Sequence, residues 1–234
     1  MPERSALIAR SAWSPRKLGC YIAFTRETRH RGYRDDMRAV YTSAGLVHEA
    51  RHLARILLAQ MPERWQHTIG VAGQAEQVIP TVPAADADLL VAVAWLHDIG
   101  YAKMLRTSGF HPLDGARYLT AHGCPLRLAA LVAHHCEAFL IAEVRGLAEE
   151  LATYPREQSA VTDALTYADQ TISPGGQPMT FQHRLTDMLH RHGPDSPNAA
   201  VHPRREPLLR AAVNRVERRL AAARPSAAAR HVSP

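Results

Sequence analysis

The segment Leu89-Leu90-Val91-Ala92-Val93-Ala94-Trp95-Leu96 is wholly apolar and stops at the pair His97-Asp98. Such a run is too short to cross a membrane, which takes about 20 residues as a helix. It also has no polar face to turn toward water. With Pro80 and Pro83 before it and Gly100 after it, the sequence predicts a helix over 85–97, buried on all sides. The rest of the chain must wrap this helix and accommodate two ionisable residues at its end.

The neighbouring segments have the pattern to do so. Leu46, Val47, Ala50, Leu53, Ala54, Leu57 and Leu58 share one face of a helix over 44–60, with Ser43 as its N-cap. Pro62 opens a helix through Trp65, Ile69 and Ala72 to Val78. Pro112 opens another that closes at Gly123, and Pro125 opens the next, to His135. Helices near 138–151 and 157–171 follow. Residues 174–178, Pro-Gly-Gly-Gln-Pro, read as a turn, and short helices near 179–191 and 206–223 finish the chain. No segment alternates with period two and no internal repeat is present, so the fold class is all-α.

The net charge of +6 is concentrated at the ends. Residues 1–38 carry +5, residues 204–234 carry +6, and the middle carries −5. A nucleic-acid module places its charge on a folded face, so these ends read as solvated basic tails and no nucleic-acid polymer is expected as a partner. The expected domain is 41–222, between poorly ordered tails at 1–40 and 223–234. Cys20, Cys124 and Cys136 form no CxxC pair, which fits a reducing cytosol. No apolar run reaches about 18 residues, and the piece Gly19–Phe24 is too short for a secretory core. The expectation is a soluble, cytoplasmic protein with no membrane partner.

Fourteen histidines make a high count, and several fall where helices should be buried. His67 lies mid-helix. His97-Asp98 ends one apolar run, His134-His135 ends another, and Asp169 follows Ala164-Leu165-Thr166-Tyr167-Ala168. Singly, each has an ordinary reading: a hydrogen-bonded core histidine, a chance pair, a helix-terminal charge. Together they bring ionisable groups from separate helices, and burying each costs several kcal/mol unless they are paired or hold a metal. Neutral imidazoles and carboxylates are ligands for a divalent cation, and a helical bundle can bring them to one point.

The ordered set resembles the HD-domain metal-dependent phosphohydrolases, whose pattern is H…HD…H…H…D. Here it reads His67 in Trp65-Gln66-His67-Thr68-Ile69-Gly70, His97-Asp98 in Trp95-Leu96-His97-Asp98-Ile99-Gly100, His111 in Gly109-Phe110-His111-Pro112-Leu113-Asp114, the pair His134-His135, and Asp169 in Thr166-Tyr167-Ala168-Asp169. The likeness, to a bacterial branch of the family, covers roughly 43–220, with the motifs at 64–170. It implies an HD-domain helical bundle with extra C-terminal helices. It implies one or two divalent ions (Mn, Fe, Mg, Co, Ni or Zn), the first held by His67, His97, Asp98 and Asp169. Asp98 would bridge to a second ion held by His111 and either His134 or His135. His134 is preferred, but helix neighbours point about 100° apart and the choice stays open.

The activity so implied is hydrolysis of a phosphoester of a small phosphorylated molecule, such as a nucleotide, through metal-activated water. Asp98, Arg64 and Lys103 would act in catalysis. Arg64, Lys103, Arg106 and Arg145 would bind the anionic substrate. Many members carry Lys after the HD-Ile-Gly run; here Tyr101 stands there and Lys103 follows. That difference, and the lack of a Gly-Tyr-Pro segment after the paired histidines, points away from the cyclic-dinucleotide phosphodiesterases. Two further classes stay open: a di-iron oxygenase and a non-catalytic, metal-dependent nucleotide-binding regulator. Cys136 reads as a bystander, and Trp95 and Phe110 as core residues rather than a base pocket.

Overall fold

The computed structural model describes residues 43–223. The expectations for 1–40, for the Ser43 side chain and for the stretch beyond 223 lie outside what it describes. Ten α-helices run through the described residues: α1 Ser43–Leu57, α2 Pro62–Gln77, α3 Ala87–Leu96, α4 His111–Ala121, α5 Leu126–His134, α6 Ala138–Val144, α7 Ala148–Ala152, α8 Ala160–Gln170, α9 Phe181–His192 and α10 Pro197–Ala223. No strand occurs among these residues, and the one isolated bridge joins Ile172 to Pro178.

Helix α3 is the central element. Leu90 through Leu96 are all buried, as an unbroken apolar helix requires. Helices α1, α2, α5 and α8 pack around it. The interhelical space is small in places. A Cβ on Gly100 would collide with the carbonyl oxygen of His111, so glycine there lets the turn after α3 approach the start of α4.

Two expectations are corrected. The helix near 138–151 is broken at Gly146, whose φ of +69° ends α6 before α7 begins. The last helix starts at Pro197 and not near 206. The Ser196 hydroxyl accepts from the Ala199 amide at 3.2 Å and caps it. Pro203 and Pro207 lie inside α10 on its exposed side, where the carbonyls they leave unpaired can meet water. Val201, Leu209, Ala212, Val213 and Val216 bury the opposite face. The basic C-terminal segment is therefore not simply a solvated tail. Arg215 and Arg219 clasp the buried Asp163 of α8 at 2.6 and 2.9 Å, and Arg205 is itself buried.

Candidate metal centre

Two helices end at the same place by the same device. His97 is the C-cap residue of α3 and His135 that of α5. Each points its Nδ1 back to the carbonyl three residues earlier: His97 to Ala94 and His135 to Val132, both at 2.7 Å. These carbonyls belong to the last turn, which lacks helical partners, so each imidazole satisfies one of them. His67 on α2 points its Nδ1 to the Ser173 carbonyl, 2.9 Å away, beside the 174–178 turn. A carbonyl only accepts, so the proton of each neutral ring sits on Nδ1 and Nε2 is left with a lone pair.

These lone pairs face carboxylates. His67 Nε2 lies 3.0 Å from Asp169 Oδ1 and 3.8 Å from Asp98 Oδ2. His97 Nε2 lies 3.3 Å from Asp98 Oδ2, is buried, and has no hydrogen-bond partner. His111, the first residue of α4, brings Nε2 to 3.3 Å from Asp98 Oδ1 and 3.3 Å from His135 Nε2. Two donor groups result, His67–His97–Asp98 and Asp98–His111–His135, and they share Asp98. Acceptors gathered around acceptors in a buried space are unfavourable unless a cation lies among them. Backbone carbonyls that lock the imidazole tautomer are the usual support of a metal-bound histidine. The residues present fit one or two divalent cations.

The local fields agree. Burial opposes ionisation of Asp98, but His97 and Arg64 outweigh it and hold the carboxyl well below its usual range. Burial likewise opposes ionisation of Asp169, and the neighbouring His67 and the Arg184 guanidinium reverse it. Burial pushes His111 and His135 below the ordinary imidazole range, which keeps both neutral and able to coordinate. At His97 burial is outweighed by Asp98, so the ring's affinity for a proton rises. The same field draws a metal ion. The C-terminal ends of α3 and α5 also carry partial negative charge.

Arg64, one turn before His67, donates to Asp98 Oδ2 at 2.7 Å and lies 4.2 Å over the Tyr101 ring. Tyr101 stacks on His111, centroid to centroid 4.0 Å. Burial, aided by Asp98, raises the Tyr101 phenol to about 12, so it stays protonated. A cavity of about 320 Å³ opens onto this group and is bounded by Asp98, His111, His135, Asp169, Phe110 and Tyr101 among others.

Not every expected residue reaches the cavity. His134 turns away: its Nε2 donates to the Tyr154 carbonyl at 2.8 Å, while His135 enters the cluster. The preference for His134 is thus reversed, because α5 ends between the two residues and the next turn redirects the chain. Lys103 and Arg106 are exposed and line no part of the cavity, and Arg106 donates to the Tyr101 carbonyl at 3.2 Å. Arg145 does line it, held at the rim by the Gly109 carbonyl at 3.0 Å. Trp95 packs on Trp65 away from the cavity, whereas Phe110 lines it. Cys136 donates to Asp169 Oδ2 at 2.8 Å, and burial beside that carboxylate pushes the thiol well above its ordinary range. The cavity also holds residues the sequence reading missed: Gln170, which donates to Asp169 at 3.0 Å, and Arg184 and Arg205 from the last two helices.

Converging helix ends that bury imidazoles around a shared carboxylate define an all-α metal-binding domain. Residues 64–172 match the family model of the HD domain, which is consistent with the resemblance to the HD-domain metal-dependent phosphohydrolases. Comparisons with curated proteins and with solved structures give no match. The matched segment ends before α9, so Arg184 and Arg205 lie outside it. No helix among the described residues is long and apolar enough to cross a membrane.

Proposed function

We propose that the protein is a phosphohydrolase that cleaves a phosphoester of a small phosphorylated molecule such as a nucleotide, with His67, His97, Asp98 and Asp169 holding one cation and Asp98, His111 and His135 a second. The observation that carries this reading is the membership of Asp98 in both donor groups, with the inward Nε2 atoms of His67 and His97 on one side and those of His111 and His135 on the other. A divalent cation bound there supplies Lewis acidity and a water of lowered pKa. Arg64 supplies a second positive charge beside Asp98, where negative charge develops on a phosphoryl group during transfer. Tyr101 fixes the plane of His111 and walls the cavity. Arg145 reaches the cavity rim and can steer an anion inward.

The test is phosphate release from a nucleotide panel by protein loaded in turn with Mn, Fe, Mg, Co, Ni and Zn, with bound metal measured. Release that needs the metal and disappears in the His97→Ala, Asp98→Ala double variant supports the reading. Release that persists in that variant overturns it, as does iron-dependent oxygen consumption without phosphate release.

A further inference from the structure

We propose that α9 and α10 build an oxyanion-binding wall beside the metal donors, in which Arg184 and Arg205 take a phosphoryl group of the ligand. The proposal deepens the phosphohydrolase reading and rests on it for the class of ligand.

Arg205 is 7 % exposed. Its Nε donates to the Cys136 carbonyl at 2.8 Å, and its Nη1 to Asn198 Oδ1 at 3.2 Å and Met188 Sδ at 3.4 Å. All three acceptors are neutral. Among the described residues no carboxylate lies within 4 Å of it, and its Nη2 has no partner. Arg184 is 8 % exposed. Its Nε donates to the Asp169 carbonyl at 3.5 Å and its Nη2 lies 3.5 Å from Asp169 Oδ1. Its Nη1 is buried without a hydrogen bond, with Asp187 Oδ2 3.8 Å away. Arg184 keeps a buried donor without a hydrogen bond and Arg205 has no carboxylate beside it, and such guanidiniums are costly to bury unless an anion completes them.

Both residues line the cavity that opens onto Asp98, His111 and His135. The capped N-terminus of α10 lines it too, through Ser196, Pro197 and Asn198. Its partial positive charge adds to the same field. Five arginines border the cavity against two aspartates. This excess of cations would repel a metal ion, which the donor cluster is built to attract. An anion lying between cation and arginines reconciles the two. A phosphoryl group has the charge and the several acceptor oxygens that guanidiniums grip in pairs.

Arg205 also supports the backbone. Cys136 and Glu137 adopt φ of 50° and 57°, a left-handed turn costly for such residues, and the Arg205 bond to the Cys136 carbonyl steadies it. A purely structural arginine would leave phosphate affinity unchanged in a folded variant.

The full chain, stripped with a chelator, is titrated calorimetrically with inorganic phosphate, and its thermal midpoint is read with and without phosphate. Wild type is expected to bind phosphate and to gain thermal stability from it. Arg184→Gln and Arg205→Met are each expected to weaken binding at least tenfold and to lose most of the phosphate-dependent shift. Both are expected to retain metal on reloading. Should Arg205→Met fail to fold, Arg184→Gln decides alone, since Arg184 does not touch the Cys136 turn. Equal phosphate affinity in wild type and variants overturns the wall, as does no binding by wild type. Metal-dependent hydrolysis with phosphate affinity untouched by either substitution sinks the wall and leaves the phosphohydrolase reading standing. Phosphate binding through both arginines in a protein that takes up no metal does the reverse.

Discussion

Adjacent residues of the same type take opposite duties in this site. His135 joins the candidate metal donors, and His134 pins the chain to the Tyr154 carbonyl from the far side of α5. His135→Ala should cut metal affinity by at least the 10–100-fold that loss of a supporting contact typically costs. His134→Ala should keep the metal and lose only about 1 kcal/mol of stability, one hydrogen bond's net worth. Elemental analysis after dialysis, with a thermal melt, separates the two. No periodicity in the sequence could choose between them, because the choice depends on where the helix stops. His67, His97, Asp98, His111 and Asp169 were legible as a set because each sits on or ends a buried face. Arg184 and Arg205 were legible in principle. Each occupies an apolar stripe, Phe181-Arg184-Leu185-Met188 in α9 and Val201-Arg205-Leu209-Ala212 in α10, where a cation needs a reason.

The link between α3 and α4 shows how an element delivers a ligand. Asp114, buried in the first turn of α4, accepts from the Ser108 amide and hydroxyl, the Thr107 hydroxyl and the Gly109 amide, at 2.8–3.0 Å. These bonds tie the preceding loop to the helix that begins with His111. Burial opposes its ionisation, but these donors outweigh it and lower its pKa. The sign follows: the unfolded chain binds the proton more readily, so this contribution is full above about pH 4 and fades as pH falls through the lowered folded value. Asp114→Asn should cost about 1–3 kcal/mol at pH 7. The gap from wild type should narrow in acid, as read by denaturant unfolding at stepped pH. Gly100→Ala should also displace His111, with a destabilisation of about 1–3 kcal/mol or more from overpacking, measured by melting and metal content. The helices around α3 were readable from apolar spacing and proline positions. The start of α10 was missed although Ser196-Pro197 is a cap followed by proline, because Pro203 and Pro207 looked like breakers and both are tolerated on the solvent side.

At the scale of the molecule, the C-terminal helix is part of the core. Val201 and Val216 belong to the main apolar cluster, and α10 packs along α8 and α6. Ending the chain after residue 180 should therefore abolish cooperative unfolding, since each such side chain contributes about 1.5–3 kcal/mol by burial. A thermal melt of the shortened chain checks this, and a sharp transition with bound metal would count against it. In the full chain, free metal at 100 times its dissociation constant should add about 2.7 kcal/mol of stability, removable with chelator. The donors His67 through Asp169 span 103 residues, and Arg205 comes 36 residues later still. During synthesis, which proceeds from the N-terminus, the ribosome must release most of the chain before the last ligand exists. The nascent chain has no complete nest for a cation. On the proposed reading a cation finds its donors folded only in a nearly finished chain, and the arginine side of the cavity arrives last.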